Sequence, residues 1–203
     1  MSSNFLFIWA DSGLSTKSSH VHAPYHFIHM GEIIDYVQRQ VKEVVDIFDI
    51  EAQHIEFQDI IKKLIQNHYK AIAFYINTEN LQNTIKLLEY IKEILPRCKT
   101  IAYGEMPIYL PKFFKKTKLD AIVAKECDQE LAISDFFEYS IGKRPRSKMR
   151  GVITIQNKQL VSCKKGELLD PKEWGYTDFT KVTIEDYFKM EKKRQVVVTI
   201  ARG

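Results

Sequence analysis

A regular alternation of short apolar runs and longer amphipathic segments across residues 4–141 most constrains the fold. Five runs are rich in β-branched and aromatic residues, as buried parallel strands are, and they cover residues 5–10, 44–48, 71–76, 100–103 and 121–124. Between them, apolar residues repeat at helical spacing, as in Leu81, Ile85, Leu88, Ile91 and Leu95. Because such crossovers are right-handed, the chain should form a parallel sheet covered on both faces. We therefore predict an α/β domain with a five-stranded parallel, flavodoxin-like (Rossmann-like) sheet, helices on both faces and strand order 2-1-3-4-5.

The composition changes after residue 142, which predicts a smaller second unit. Residues 143–150 form a basic linker broken by Pro145, and residues 152–162 predict a hairpin that turns at Asn157-Lys158. A loop and a short helix over residues 182–190 follow, and then residues 196–200 form a β-branched strand that runs into Ala201-Arg202-Gly203. We expect an α/β domain over residues 1–142, a linker, hairpin and bridging segment over 143–193, and the first strand of a further domain over 194–203.

Charge and cysteine content argue against several classes of protein. The 203 residues carry a net charge of only +4, which does not by itself indicate a nucleic-acid partner. The linker contains four clustered cations, Arg144, Arg146, Lys148 and Arg150. No aromatic residues lie between them, so we interpret the linker as solvated. Cys98, Cys127 and Cys163 show no Cys-x-x-Cys spacing, so they favour neither disulfides nor a zinc site and fit a cytoplasmic protein. No apolar run approaches membrane-spanning length.

The candidate site is the edge of the sheet where the parallel strands end. Doubly wound sheets bind ligands outside the carboxyl ends of their strands. The loop after the first strand is long, extends to about Tyr25, and is rich in small and hydroxylated residues. The residues that we expect to contact a cofactor follow the first, third, fourth and fifth strands; they are Asp11, Ser12, Gly13, Asn77, Thr78, Gly104, Glu105, Met106 and Glu126.

Four histidines between residues 20 and 29 raise the alternative of a metal site. Histidine is the commonest metal ligand. However, no Asp, Glu or Cys lies among His20, His22, His26 and His29 to complete a familiar ligand spacing. We therefore expect no metal site, and a contact to a cofactor or substrate if one of the histidines acts.

The whole layout resembles the N-terminal cobalamin-binding domain of class B radical S-adenosylmethionine (SAM) enzymes. In that family, turns after the third, fourth and fifth strands meet the corrin ring, and here Thr78, the Gly104-Glu105-Met106 turn and Glu126 occupy them. The end of the chain resembles the first barrel strand of these enzymes, in which strand-Arg-Gly precedes a Cys-x-x-x-Cys-x-x-Cys loop. That loop is not in the sequence, so we expect a chain cut before its catalytic barrel.

The resemblance implies a cobalamin-binding portion of an enzyme, most typically a methyltransferase that uses methylcobalamin and SAM. The 4Fe-4S cluster and SAM would lie in the absent barrel domain, which becomes the expected partner, and this chain alone would be inactive. No Asp-x-His-x-x-Gly motif is present, so cobalamin is expected base-off without a histidine ligand. The sequence departs from the family where Glu105 and Lys125-Glu126-Cys127 replace glycine-bearing turns.

Two alternatives stay open at the level of the sequence, and a third is disfavoured. The domain could keep the fold as a degenerate structural or substrate-positioning module. A stand-alone flavodoxin-like nucleotide-binding module could use the hydroxyls of Ser12–Ser19 as a phosphate cradle. A signal-receiver domain needs an aspartate at the end of the third strand, and Asn77, which stands there, cannot accept a phosphoryl group.

Overall fold

The computed structural model describes residues 3–10, 25–53, 55–177, 185, 186 and 188, with side chains of the first helix from His29 onward. The described residues form seven strands: β1 (Phe5–Trp9), β2 (Val45–Asp49), β3 (Ala71–Tyr75), β4 (Lys99–Tyr103), β5 (Ala121–Val123), β6 (Val152–Gln156) and β7 (Gln159–Ser162). They also form six α-helices: α1 (Tyr25–Val41), α2 (Ile50–Gln53), α3 (Phe57–Asn67), α4 (Leu81–Ile94), α5 (Glu105–Tyr109) and α6 (Gln129–Ser140). Short 3-10 helices cover Pro111–Lys116, Arg146–Lys148 and Pro171–Glu173.

One mixed sheet contains all seven strands in the order β2-β1-β3-β4-β5-β6-β7. The first five are parallel and have the predicted order 2-1-3-4-5, which is confirmed. The predicted strand count of five is wrong because the hairpin of β6 and β7 continues the sheet. β6 runs antiparallel to β5 and pairs with all three of its residues, so the hairpin covers an edge that would otherwise expose unpaired backbone groups.

The hairpin turns at the predicted dipeptide. Asn157 and Lys158 have φ values of 50° and 61°, which is the left-handed geometry that a two-residue hairpin turn requires. Asparagine adopts this geometry more readily than most residues do. The division of the chain at residue 142 stays a prediction.

Side chains from the two faces of the sheet form two separate cores. One core packs β1, β3 and β4 against α1 and α6, and the other packs the opposite face against α3 and α4. On the α1/α6 face, β3 contributes the small side chains of Ala71 and Ala73. Large rings occupy the space above them: Phe5 stacks on Phe137 of α6 at 4.5 Å, and Phe7 contacts the same ring edge-on. Small residues on the central strand therefore make room for aromatic packing against α6.

The basic linker is anchored to α6. Asp135 is buried, and its carboxylate accepts hydrogen bonds from the Arg150 backbone N–H (2.8 Å) and guanidinium (2.9 Å). Arg144 lies 3.2 Å from the same carboxylate and 2.7 Å from that of Glu138. We expected four solvated cations, and two of them are instead held by acidic residues that lie earlier in the chain. This pairing fixes the path from α6 into β6.

Two predicted elements, the helix over residues 182–190 and the strand over residues 196–200, lie almost wholly outside the described residues. Among the described residues, no helix is both long and apolar enough to cross a membrane. Cys98, Cys127 and Cys163 are all free thiols.

Candidate functional site

The carboxyl ends of four parallel strands form a continuous row of side chains on the α1/α6 face. The last register position aligns Asp49 of β2, Trp9 of β1, Tyr75 of β3 and Tyr103 of β4. All four residues are buried. We call Trp9, Tyr75 and Tyr103 the aromatic row. Their rings are in contact, with centroids 4.3 Å apart for Trp9–Tyr75 and 5.5 Å apart for Tyr75–Tyr103.

The hydroxyl of Tyr103 lies inside the core without a hydrogen-bond partner among the described residues. Its ring packs edge-on against Phe7 of β1 at 5.8 Å, so the side chain extends across the alanines of β3. Burial, with smaller contributions from Tyr75 and Asp49, raises the pKa of this hydroxyl well above its usual value. Tyr103 is therefore a neutral phenol whose polar atom has no partner within the described part of the chain, and a buried hydroxyl without a partner is rare and costly.

The turn after β3 is held rigidly by two asparagines. The Asn77 side-chain oxygen accepts hydrogen bonds from the backbone N–H groups of Glu79 (3.1 Å) and Asn80 (2.9 Å). In return, the Asn80 side-chain oxygen accepts from the Asn77 N–H at 3.0 Å, and its amide donates to the Tyr75 carbonyl at 3.1 Å. Asn77 is thus buried and used within the protein, whereas Thr78 at the tip of the turn is exposed.

The turn after β4 begins at Gly104, which has a φ of +99°. Its N–H donates to the Gln129 side chain of α6 at 2.8 Å. A Cβ at this position would lie 2.8 Å from the Ile76 carbonyl oxygen and 2.9 Å from the Tyr75 ring. Glycine is therefore required for the local backbone geometry and for packing on β3. The space next to its Cα is filled by the protein, and the expected contact of Gly104 with a cofactor stays a prediction.

Two of the predicted site residues meet across the turns after β3 and β4. The Thr78 hydroxyl lies 3.9 Å from the Met106 sulfur, and the Met106 N–H donates to the Ile76 carbonyl at 3.1 Å. Thr78 and Glu105 are exposed beside this contact, and Met106 is half-buried. We call these residues, together with the exposed residues of the turn after β5, the polar rim; Met106 in it packs against the α3/α4 core.

The turn after β5 combines exposed charges with a buried anchor. Lys125 and Glu126 are exposed, whereas Cys127 is buried against Gly151 and Gly166, which leave no space for a Cβ. Burial raises the pKa of the Cys127 thiol to about 11, so it is an unreactive packing residue. Lys125-Glu126-Cys127 stands where the family that the sequence resembles has a glycine-bearing turn. The structure shows that Cys127 has a packing role at this position, and Glu126 remains available at the surface.

A segment after the hairpin crosses α1, a contact that no pattern in the sequence predicts. The Asp35 carboxylate accepts a hydrogen bond from the Tyr176 backbone N–H at 3.0 Å and pairs with Arg39 at 3.1 Å. The Arg39 guanidinium donates to the carbonyl oxygens of Glu173 and Trp174. A charged pair spaced four residues apart is visible in the sequence, but its backbone partners lie over 130 residues away in the chain. This contact directs residues 171–177 along the helix that follows β1.

Several predicted residues lie outside the part of the chain that the structure describes. They include Asp11, Ser12 and Gly13 of the first loop, together with His20 and His22. Of the histidine group, the His29 side chain is described, and its ring lies 3.6 Å from the Glu32 carboxylate. Among the described residues no group of three or more His, Cys, Asp or Glu is placed to hold a metal ion.

Comparison with known proteins finds a match in structure only. No protein-family profile matches the chain, and no curated protein sequence matches it. The cobalamin-dependent S-adenosylmethionine radical enzyme OxsB, solved with aqua-cobalamin and S-adenosylmethionine bound, superposes with a TM-score of 0.72 and 13% identity over 93% of this chain. The radical S-adenosylmethionine methyltransferase TsrM from Kitasatospora setae, solved with cobalamin and a 4Fe-4S cluster bound, gives a TM-score of 0.62 at 8% identity over 86% of this chain.

These likenesses show a shared α/β fold. This chain spans only 25% of the OxsB chain and 31% of the TsrM chain. The chain is thus an α/β unit whose fold superposes on part of each of these two enzymes.

Proposed function

We propose that this chain is the cobalamin-binding portion of a radical SAM enzyme. The observation that supports the proposal most strongly is the extent of the match to OxsB. It covers 93% of the chain, which is more than the five-stranded parallel unit alone. Many α/β proteins share the parallel strand order, but a match that extends beyond the parallel unit is more specific.

The side chains on the polar rim suit the periphery of a corrin ring. That periphery carries primary amides, which donate hydrogen bonds to carboxylates and accept them from hydroxyls and ammonium groups. Among the described residues, the exposed polar groups at the carboxyl edge include the Thr78 hydroxyl, the carboxylates of Glu79, Glu105 and Glu126, and the Lys125 ammonium. The residues that we propose to hold cobalamin are therefore Thr78, Glu105, Met106 and Glu126, with Asp11, Ser12 and Gly13 supplied by the first loop.

Bound cobalamin would supply a transferable methyl group, and the proposed reaction of the whole enzyme is methyl transfer with SAM. The contribution of this chain is to bind and orient the cofactor. The proposed partner is a radical SAM barrel domain carrying the 4Fe-4S cluster and SAM.

The test is a titration of the purified protein with hydroxocobalamin, followed by desalting. We expect retained cobalamin with a visible spectrum shifted toward the base-off form. Thr78→Trp should weaken binding because a bulky ring would cover the rim. Gln66→Trp is the matched control, since Gln66 is exposed at the end of α3, on the opposite edge of the sheet. Loss of all cobalamin on desalting would contradict the proposal, and so would equal weakening by both variants.

A degenerate domain that serves as a structural or substrate-positioning module is the second candidate. The observation that favours it is the packing at Gly104, where Tyr75 and the Ile76 carbonyl fill the space that a cofactor would need to reach the backbone. This candidate predicts that hydroxocobalamin leaves the protein entirely on desalting, with no change in its spectrum.

A further inference from the structure

We propose that Asn77 and Gln129 are positioning residues of the corrinoid site. Each holds one turn of the polar rim in the shape that the ligand meets, and neither contacts the ligand itself. The inference rests on the proposed function. It gives Asn77, which the sequence predicts as a cofactor contact, a different role, and it adds Gln129 of α6, which no pattern in the sequence indicates.

A ring of hydrogen bonds encloses Thr78 in the turn after β3. The Asn77 side-chain oxygen accepts hydrogen bonds from the N–H groups of Glu79 at 3.1 Å and Asn80 at 2.9 Å. Asn80 closes the ring, because its own side-chain oxygen accepts from the Asn77 N–H at 3.0 Å. Both asparagines are buried, whereas the side chains of Thr78 and Glu79 are exposed. The backbone that carries the exposed side chains is therefore fixed from within.

This ring is attached to both neighbouring elements. The Asn80 side-chain amide donates to the Tyr75 carbonyl, at the end of β3, at 3.1 Å. The Asn80 carbonyl accepts from the backbone N–H of Thr84 at 2.9 Å and from its hydroxyl at 2.8 Å, in the first turn of α4. The position of Thr78 relative to the sheet thus follows from those of β3 and α4.

Gln129 has the same role in the turn after β4. Its side-chain oxygen accepts from the Gly104 N–H at 2.8 Å. Gly104 has a φ of 99° and a ψ of −166°, a conformation that is almost restricted to glycine. Glu105 and Met106 of the polar rim follow directly, and the Met106 N–H donates to the Ile76 carbonyl at 3.1 Å. The two turns are therefore fixed relative to each other.

A rim that keeps one shape before the ligand arrives loses little conformational entropy on binding, which raises affinity without a further contact. Asn77 and Gln129 both use a side-chain oxygen to accept hydrogen bonds from backbone N–H groups. The ionised acid of the same shape keeps this acceptor but has no N–H to donate to a ligand. Replacement by the acid therefore separates positioning from direct contact.

The experiment measures the Kd of hydroxocobalamin by spectral titration. Asn77→Ala should raise the Kd by about tenfold or more, because two backbone N–H groups lose their acceptor and the turn loosens. Asn77→Asp should keep the Kd within about threefold of that of the unaltered protein. Gln129→Leu and Gln129→Glu should show the same contrast with a smaller loss, since Gln129 accepts one hydrogen bond in place of two.

Asn67→Ala is the matched control. The Asn67 side chain also forms hydrogen bonds, to Asp46 and Tyr69, but it lies at the end of α3, on the opposite edge of the sheet. Its replacement should leave the Kd unchanged. An increase in the Kd equal to that of Asn77→Ala would show a general loss of structure and would overturn the positioning role.

A double-mutant cycle gives a readout that a merely structural role would not change. Thr78→Val keeps the branched shape and removes the hydroxyl, and it should raise the Kd by about fivefold in the unaltered protein. In Asn77→Ala the same change should have little further effect, because Thr78 is no longer held in place. Fully additive effects of the two substitutions would overturn the inference.

Two other results would also contradict it. An increase in the Kd for Asn77→Asp as large as that for Asn77→Ala would show that the Asn77 amide contacts the ligand. An unchanged Kd in both variants would show that the turn needs no lock. In either case, binding by the unaltered protein would leave the proposed function supported, whereas no binding by the unaltered protein would overturn both. If Asn77→Ala does not fold, the two Gln129 variants decide.

Discussion

Replacing Asp135 by asparagine should lower the free energy of unfolding by about 3 kcal/mol. Asp135 is 1% exposed, and its carboxylate accepts three hydrogen bonds from Arg150 at 2.8–2.9 Å and lies 3.2 Å from the Arg144 guanidinium. Asparagine has nearly the same shape, so the change removes the charge and half of the acceptor capacity without creating a large cavity.

The magnitude follows from the surroundings of the pair. Breaking a buried ion pair by removing one partner costs about 3–5 kcal/mol because the other charge is left uncompensated. The side chains of Arg144 and Arg150 are each 26% exposed, so water can partly replace the lost carboxylate. This exposure places the expected cost at the lower end, about 3 kcal/mol.

Thermal unfolding measures the effect. For a domain of this size, about 3 kcal/mol corresponds to a decrease in Tm of roughly 6–12 °C. Asp59→Asn is the matched control, because Asp59 forms an exposed pair with Lys62 and should contribute less than about 1 kcal/mol. A Tm decrease for Asp135→Asn no larger than that of Asp59→Asn would refute the argument that this carboxylate anchors the linker.

Further substitutions test other parts of the core. Tyr103→Phe should leave the free energy of unfolding unchanged or raise it by about 1 kcal/mol in urea denaturation, since it removes a buried hydroxyl without a described partner; a loss above about 1 kcal/mol would show that the hydroxyl is satisfied. Gly104→Ala should lower the free energy of unfolding by about 2–4 kcal/mol in the same urea denaturation, because the added Cβ would meet the Ile76 carbonyl. Gly142 is also at positive φ but has no atom within 4 Å of an added Cβ, so Gly142→Ala should lower the free energy of unfolding by only about 1 kcal/mol. Burial raises the pKa of the Cys98 thiol to about 12, so above pH 9 the folded protein keeps a proton that the unfolded chain loses. The free energy of unfolding should therefore fall between pH 9 and 12, by about 1.4 kcal/mol per pH unit for this thiol. Cys98→Ala should reduce that slope.

The strands and their order could be predicted because each buried run has a strong pattern and the crossovers have one handedness. Two short helices were missed: α2 and α5 have four and five residues, too few for a helical period, and α5 contains Pro107. The hairpin was predicted at the correct dipeptide, but alternation within a hairpin does not reveal which strand it pairs with. The pairing of β6 with β5 could therefore be seen only in the structure.

The candidate site was predicted less completely. Topology alone places Thr78 and Met106 at the same edge, and the structure brings them together. The filling of the space at Gly104 depends on the orientation of the Tyr75 ring, which no local pattern specifies. One signal was present in the sequence: β1, β3 and β4 each end on a large aromatic residue. The aromatic row follows from that pattern once the strands are known to be in register.

Amide hydrogen exchange with and without hydroxocobalamin is the most direct test of the central claim, that the carboxyl edge binds a corrinoid. We expect added protection in the turns after β3 and β4, at residues 77–80 and 104–106. Exchange at the Asn157-Lys158 turn, at the far end of the β6–β7 hairpin, should not change. Unaltered exchange throughout the chain at saturating hydroxocobalamin would contradict the account, and so would protection confined to regions away from these turns.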